Sequence, residues 1–495
     1  MKLRNYQSKC VDDVWKTLFN KNECNVWMPT AAGKTVIFSA LIRKALDGAK
    51  AHNQEFKTLI IVPKINLVEQ TIAKIYEHCA IDGAIYCASL NQKSMKKNVI
   101  VGTKQSLCKV KEEDLPKVNL VIADEWHNYA NSGEYGVMLE RLHDANPKLK
   151  VVNFTATPYG SQNELIFEPD VHEELSHLVA QRWLVPPVFK SSPESFDTSH
   201  LKLVNGDFKI KDLERLSLQD VQKSRKQVRD GLSRLSDRAH VCWTCTCIEH
   251  ARVIYEILTK DCAQTASIVH SQMNMKERMV HTKSFEKGWS KHLVSVLIVS
   301  EGWDFPALDA IVNLRPTRSL KLYMQLVGRG LRLFEGKKNC LFIDYGGTAK
   351  ELGHPYNPEI NHDPERKYVN ENPGKVCPSC AEIVFGRIFF CPSCKYEFTK
   401  EEREFTSVKK LSAKADANGA TVKRLNVLSH DFVLHYRTRT GRKGLAIFCI
   451  TIEGKKMFYC DSQSVKLQYY YGLITSGWVP KVVEANQKFI TAFVD

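Results

Sequence analysis

Met28-Pro29-Thr30-Ala31-Ala32-Gly33-Lys34-Thr35 decides the fold, together with Leu120-Val121-Ile122-Ala123-Asp124-Glu125-Trp126-His127 about 90 residues later. The first stretch continues an apolar run, Asn25–Met28, and opens a segment of helical length. Its tail, Gly33-Lys34-Thr35, is that of a phosphate-binding loop. Small Ala31 and Ala32 let backbone amides approach phosphate oxygens, and Gly33 permits the tight turn. The helix N-terminus favours an anion, and Lys34 reaches the β- and γ-phosphates. Thr35 is placed to ligate magnesium. The full pattern asks for glycine at position 28, where Met28 stands. The second stretch delivers two carboxylates at the C-terminal end of a four-residue apolar strand, where open α/β sheets bind ligands. Asp124 suits magnesium, and Glu125 suits orienting and deprotonating an attacking water. A chance Gly-Lys-Thr and a solvated Asp-Glu are the bland readings; a strand before each, a helix after the first and the pairing of the two argue against them.

Outward from these motifs the chain alternates. Apolar runs Asn25–Met28, Thr58–Val62, Val99–Gly102, Leu120–Ala123 and Val151–Phe154 are separated by helix-length segments. That βαβα pattern predicts a parallel sheet covered by helices. A second series, His240–Cys247, Ala266–His270, Leu293–Val299, Ala310–Asn313 and Asn339–Asp344, predicts a second such domain. The reading is residues 1–168 for the first domain, 169–235 for a partly helical connection and 236–352 for the second domain. A linker (353–372), a cysteine module (373–400) and a β-rich C-terminal domain (401–495) follow. An initial helix is read from Val11, Val14, Trp15, Leu18 and Phe19 at helical spacing.

Composition narrows the class. The 495 residues are 43% hydrophobic and 25% charged, as in a soluble globular protein of several domains. No apolar run approaches the ~18 residues that span a bilayer, and the charged N-terminus lacks a signal-peptide core. An integral membrane or secreted protein is therefore disfavoured. A net charge of +15 favours a polyanionic partner, because lysine and arginine near phosphates release condensed counterions. Most of the 16 cysteines stand singly in apolar surroundings, as buried thiols of a reducing compartment do.

The chain resembles superfamily 2 helicases and translocases over residues 1–350, with the motifs in family order. Asp124-Glu125-Trp126-His127 is similar to a DExH box, and Leu3-Arg4-Asn5-Tyr6-Gln7 resembles the adenine-reading entry. Ile61-Val62-Pro63 with Leu67–Gln70, Gly102–Leu107, and Thr155-Ala156-Thr157-Pro158 resemble motifs Ia, Ib and III. Cys242–Ala251, Glu301–Pro306 and Gln325–Arg332 resemble motifs IV, V and VI. The resemblance implies two tandem RecA-like domains with ATP and Mg2+ in the cleft between them. It implies contacts to ATP from Arg4, Gln7, Thr30, Ala31, Ala32, Gly33, Lys34, Thr35, Gly302 and Asp304. Catalysis falls to Lys34, Asp124, Glu125 and Gln325, with Arg329 and Arg332 as arginine fingers, and the metal to Thr35 and Asp124. His127, Thr155 and Thr157 couple nucleotide state to nucleic-acid grip, and Pro63, Lys64, Thr103 and Ser106 hold phosphates without reading sequence. Within the superfamily the start, motif Ia and Asp344-Tyr345-Gly346-Gly347 resemble the group of XPB-like, phage UvsW-type and type I restriction translocases. XPB and UvsW relatives carry a DNA-binding region before the core, whereas this core begins at Met1, which leans toward a phage or mobile-element enzyme working in the cytoplasm. The implied activity is DNA unwinding or remodelling in branch migration, fork reversal, recombination or repair. An RNA helicase, or a nucleic-acid-gated ATPase switch that does not unwind, are the alternatives.

Cys377-Pro378-Ser379-Cys380 and Cys391-Pro392-Ser393-Cys394, ten residues apart, supply four thiolates for one structural zinc and resemble a zinc ribbon. Redox activity is the competing reading. Cys242, Cys245 and Cys247 lie on a strand-like run, where alternating faces cannot converge on a metal, and read as core. Residues 401–495 carry 15 Lys/Arg and 9 Asp/Glu with interleaved aromatics, which suits either single-strand stacking or a small hydrophobic core. A hairpin is expected from Ala446–Ile452, a Glu453–Lys456 turn and Met457–Cys460.

Overall fold

In a computed structural model, the described residues are 3–129, 132–296, 303–358, 360–361, 374–385 and 389–399, plus the backbone of five C-terminal strands. The chain divides into two compact units. One comprises Met1–Val188, Ser192–Thr348 and Ile360–Tyr368; the other comprises Phe189–Ser191, Ala349–Glu359 and Val369–Asp495.

The first unit contains both α/β domains. The first sheet is built from β1 (Glu23–Trp27), β2 (Thr58–Val62), β3 (Ala84–Cys87), β4 (Gln92–Lys93), β5 (Val99–Thr103), β6 (Leu120–Ala123), β7 (Lys150–Thr155) and β8 (Val171–His172), in the order β4-β3-β5-β2-β6-β7-β1-β8. All neighbours are parallel except β3 and β4. β2, β5 and β6 are buried along their whole length because helices cover both sheet faces. Leu59, Ile61, Val121 and Ala123 pack in one core cluster with Tyr135, Met138 and Leu142 of the helix Gly133–Ala145. On the helix Lys34–Ala51, Phe38 meets Phe154 of β7 edge-on at 5.9 Å. The order β6-β7-β1 sets three strand ends side by side, so the loop after β1, Thr155 and the Asp124-Glu125 pair become neighbours.

After β9 (Pro187–Ser191) and the hairpin β10 (Leu203–Val204) and β11 (Asp207–Phe208), the helices Ile210–Leu218 and Val221–Ser233 lead to the second sheet. There β12 (Val241–Thr244), β13 (Ala266–Val269), β14 (His292–Ser295), β15 (Ala310–Asn313) and β16 (Cys340–Asp344) run parallel in the order β13-β14-β12-β15-β16. Trp243, fully buried, centres their core.

In the second unit, β17 (Lys375–Val376) and β18 (Ile383–Val384) form an antiparallel pair beside the grouped cysteines. β19 (Lys423–Arg437), β20 (Lys443–Thr451), β21 (Gly454–Asp461), β22 (Val482–Ala485) and β23 (Ile490–Phe493) form an antiparallel sheet in the order β21-β20-β19-β22-β23. No helix among the described residues is long and apolar enough to cross a membrane.

Several expectations are corrected. Phe19, counted into the apolar face of the first helix, is 89% exposed, while Val11, Val14 and Leu18 are buried. The strand expected over His240–Cys247 stops at Thr244; Cys245 lies beyond it and Cys247 caps the next helix, yet all three cysteines pack in the interior. The strand expected over Leu293–Val299 is described only as His292–Ser295; residues 297–302 lie outside the described residues. Gly454, Lys455 and Lys456, read as a turn, are in β21, where Gly454 pairs with Thr451. β3 was not anticipated, because four residues with one apolar alternation carry no signal of length. Much of the expected linker, and Tyr469, Tyr470, Tyr471 and Trp478, lie outside the described residues.

Candidate nucleotide cleft and cysteine cluster

The loop after β1 adopts the shape an anion needs. The Met28 amide donates to the Thr155 carbonyl (2.9 Å), extending β1 by one residue, and Met28 is fully buried. Position 28 is therefore a core position here, which accounts for the missing glycine. Ala31 (φ +72°) and Gly33 (φ +76°) are left-handed, so the chain curls before the helix Lys34–Ala51 begins. Such alternation points successive amides into one concavity.

Lys34 and Glu125 meet at its mouth. Lys34 Nζ lies 3.0 Å from Glu125 Oε1. Glu125 is itself left-handed (φ +48°), and its amide donates to Asp124 Oδ1 at 3.0 Å. Burial works against the Glu125 charge, but Lys34, His127 and Arg329 together pull its carboxyl down to about 2. Burial, and then the Glu125 charge, push Asp124 up to about 6. Two adjacent carboxyls thus diverge, one held ionised and the other pushed toward its neutral form. Asp124 and Thr35 fit a magnesium ion by their oxygen donors.

His127 joins the two motifs behind them. Its Nδ1 lies 2.6 Å from Thr155 Oγ1, 3.4 Å from Thr157 Oγ1 and 3.5 Å from Glu125 Oε2. The Thr157 amide donates to Thr155 Oγ1 (3.0 Å). At the other rim, Tyr6 Oη and Gln7 Nε2 both donate to the Ala32 carbonyl (2.8 and 3.2 Å), and Gln7 Oε1 accepts from the Arg4 amide (3.0 Å). The N-terminal segment is thereby tied to the phosphate loop.

The second domain supplies the helix Leu320–Gly330, and Thr30 sits against it at Gly328, where an added Cβ would fall 2.3 Å from Thr30 Cβ. Arg329 Nη1 donates to the Trp303 carbonyl (2.8 Å). Gln325 is buried with Oε1 unpartnered. Arg332, expected as a finger, instead pairs with Asp304 Oδ1 (2.8 Å), and Asp304 Oδ2 pairs with Lys74 of the first domain (2.8 Å). Asp304 and Arg332 are thus satisfied by each other in this arrangement rather than turned to the loop at Lys34. Gly302 lies outside the described residues.

Thr103 and Ser106 are buried; Thr103 Oγ1 donates to Ser106 Oγ (3.0 Å), which also accepts from the Ala88 amide (3.0 Å). They close a turn instead of presenting hydroxyls to a strand. Pro63 and Lys64 precede the helix Ile65–Cys79, with Lys64 exposed.

Some contacts between the domains were not legible in the sequence. Asn163 (φ +62°, buried) donates from Nδ2 to the Arg318 carbonyl and accepts on Oδ1 from the Leu320 amide, both at 2.8 Å. It caps the helix that carries Arg329 from the first domain's side. Asp207 accepts from Thr317 Oγ1 and the Arg318 amide, both at 2.8 Å. Lys74 belongs with them. Lone polar residues in loops and on helix faces carry no spacing signal, so only the tertiary structure reveals them.

In the second unit the Sγ atoms of Cys377, Cys380, Cys391 and Cys394 all lie within 4.8 Å of one another, with two pairs at 3.6 Å. A tetrahedral zinc with bonds of about 2.3 Å places its sulfurs roughly 3.8 Å apart, so the four thiols fit one ion and leave no open position. Each knuckle is closed by an amide returning to its first cysteine's carbonyl: Ala381 to Cys377 (2.9 Å) and Lys395 to Cys391 (3.0 Å). Ala381 and Lys395 are left-handed, at φ +59° and +63°.

Residues 1–160 match the family described as the res subunit of type III restriction enzymes, and residues 227–334 match the helicase conserved C-terminal domain. The chain is 29% identical over 371 residues to the ATP-dependent helicase named IRC3 of Saccharomyces cerevisiae, covering 70% of this chain and 52% of the relative. It is 27% identical over 389 residues to the mitochondrial ATP-dependent helicase named irc3 of Schizosaccharomyces pombe, covering 73% and 60%. The chain therefore spans between half and two thirds of the length of these curated relatives. A solved structure of the ATP-dependent type ISP restriction-modification enzyme LlaBIII, bound to DNA, aligns with a TM-score of 0.51 at 18% identity, over 69% of this chain and 27% of that one. At that identity the likeness is one of fold. Two domain matches in this sequence order are the arrangement of helicase superfamily 2, and the chain belongs to it.

Proposed function

We propose that the chain is an ATP-dependent DNA helicase or translocase that remodels branched duplexes, in work such as branch migration, fork reversal or repair. The observation that carries the ATPase reading is the Lys34–Glu125 ion pair beside Asp124, with the Arg329 charge acting on Glu125 from the second domain.

Lys34 leaves Glu125 for the phosphates when nucleotide enters, and the freed, ionised Glu125 then orients a water and takes its proton. Thr35 and Asp124 would hold a magnesium ion, which would supply charge neutralisation at the phosphates. Arg329 moves from the Trp303 carbonyl to the developing charge, a contribution of roughly 10³–10⁵ in rate when well placed. Arg332 follows only once Asp304 lets it go. Support for DNA comes from the restriction-enzyme family matched by residues 1–160 and from the +15 net charge. The four-cysteine cluster is proposed to hold one structural zinc.

Steady-state ATPase tests this, measured without nucleic acid and with single-stranded, duplex and four-way-junction DNA and RNA, using Lys34→Ala as control. The expected result is strongest stimulation by duplex or junction DNA and loss of turnover in Lys34→Ala and Glu125→Gln, the latter still binding ATP. Robust turnover in either variant sinks the site assignment. Stimulation by RNA alone transfers the protein to RNA metabolism, and stimulated ATPase without strand displacement or branch migration makes it a switch.

A further inference from the structure

Trp183 lies beyond the recognised motifs, in the turn after the helix Leu175–Ala180, yet it reaches the nucleotide rim. The Arg4 guanidinium lies over its ring, 4.9 Å from the centroid, and the Tyr6 ring is 6.3 Å away. Tyr6 and Gln7 are the residues anchored to the phosphate loop through the Ala32 carbonyl.

The indole is held by a directed hydrogen-bond chain. Trp183 Nε1 donates to Gln181 Oε1 at 3.1 Å. Gln181 Nε2 donates to His177 Nε2 at 2.6 Å, which fixes the proton of a neutral His177 on Nδ1, and Nδ1 donates to Glu173. The Glu173 amide in turn donates to the carbonyl of Trp27, the last residue of β1 (3.1 Å). Every group in this chain has its donor or acceptor used in one sense. A surface tryptophan serving only to cover apolar area needs no such fixing of its plane.

We propose that Trp183 is a positioning residue for nucleotide-base recognition: it holds the Arg4 guanidinium flat so that an adenine base stacks on the guanidinium's other face. Beyond its bond from the Arg4 amide, Gln7 Oε1 keeps one lone pair, the complement of the adenine N6 amine, while Nε2 serves the Ala32 carbonyl and the Tyr6 hydroxyl. A fixed guanidinium plane sets the base at the height where those atoms meet. Two residues on, the Val185 amide donates to the Leu331 carbonyl (2.9 Å), between Arg329 and Arg332. The segment that positions the base is thus bonded to the residue that ends the helix carrying Arg329, one residue before Arg332.

The inference rests on the cleft being an adenine-nucleotide site, and its test separates the two. Full-length protein is titrated with a fluorescent N-methylanthraniloyl-ADP in magnesium, and ADP, GDP and inorganic tripolyphosphate compete. In Trp183→Ala, ADP is expected to weaken by roughly 3- to 10-fold, the span of a partly desolvated cation–π contact. Tripolyphosphate should compete as in the wild type, so that the preference for ADP over GDP shrinks. Trp183→Phe should restore binding to within about twofold, since it retains a ring face for Arg4. Gln181→Leu, at an exposed position, keeps the ring but cuts its tether, and should weaken ADP in the same direction by less. Unchanged ADP preference in Trp183→Ala, or equal weakening of all three competitors, overturns the positioning role. Wild-type protein that binds no nucleotide overturns the proposed function, and this inference with it.

Discussion

The loop residues Ala31 and Gly33 share a left-handed backbone but not its consequences. Gly33 has no room to change: a Cβ there would stand 2.8 Å from Gln7 Nε2, in a conformation side chains rarely adopt. Gly33→Ala should therefore displace Gln7 as well as strain the loop, and raise the ATP KM by roughly tenfold or more, given about 1–2 kcal/mol for the backbone alone. Ala31 already bears that strain. In Ala31→Gly, relief of about 1 kcal/mol is set against a similar loss to unfolded-chain entropy, so melting should barely move and turnover should persist. Steady-state kinetics and thermal melts of both variants check this. A harmless Gly33→Ala would mean that Gln7 does not depend on its present seat. At this scale the sequence was informative where chemistry needs a residue type: Lys34, Asp124 and Glu125 could be named from spacing. It was silent on conformation. Nothing in Thr103 and Ser106 announces that their hydroxyls turn inward, because a buried and an exposed serine spell alike.

Elements meet where their side chains are smallest. The helix Leu320–Gly330 approaches the phosphate loop at Gly328, with no space for a methyl between it and Thr30. Gly328→Ala should push the helix back and lower kcat by about tenfold or more, since an ångström of misplacement costs up to ~10²-fold, while ATP binding through the first domain stays nearly intact. Equal kcat would show that the domains close through a different contact. The cysteine knuckles make a second case. Both end in left-handed non-glycine residues, Ala381 and Lys395. Metal analysis should return one zinc per chain, and a strong chelator should unfold this module while leaving nucleic-acid-free ATPase largely unchanged. A zinc-free, well-folded module would refute the assignment. Strands and helices of the two sheets were legible because parallel strands buried on both faces read as unbroken apolar runs. β3 and β4 were not, being too short, and β12 looked longer than it is because Cys245–Cys247 remain apolar after the strand has ended.

Over the whole molecule, the second sheet carries an acid sensitivity that its sequence does not advertise. His292 Nδ1 accepts from the Trp243 indole (3.1 Å), and His250 Nδ1 lies 3.0 Å from Thr246 Oγ1. Burial pushes both imidazoles down to about 4. A histidine whose folded value is depressed contributes stability above its unfolded value of about 6.5 and loses it as pH falls toward 4, because the unfolded chain takes up the proton first. Each contributes about 1.4 kcal/mol per pH unit within that window. Asp124 acts the other way: raised to about 6, it binds its proton in the folded state first and gains stability on acidification. His354, pushed down to about 3 by burial, and His240 and His270, also lowered by burial, act in the same sense as His292 and His250, so the histidines outweigh the aspartate and stability falls on acidification between pH 6 and 4.5. The thermal midpoint, followed by tryptophan fluorescence, should fall from pH 7 to pH 5. His292→Gln, which keeps an acceptor for Trp243 but cannot charge, should flatten the slope. Magnesium with nucleotide should steepen it at the first domain, because a carboxylate engaged by the metal no longer takes up the compensating proton. A midpoint that rises on acidification would place the dominant titration at Asp124 and remove the histidines as the source.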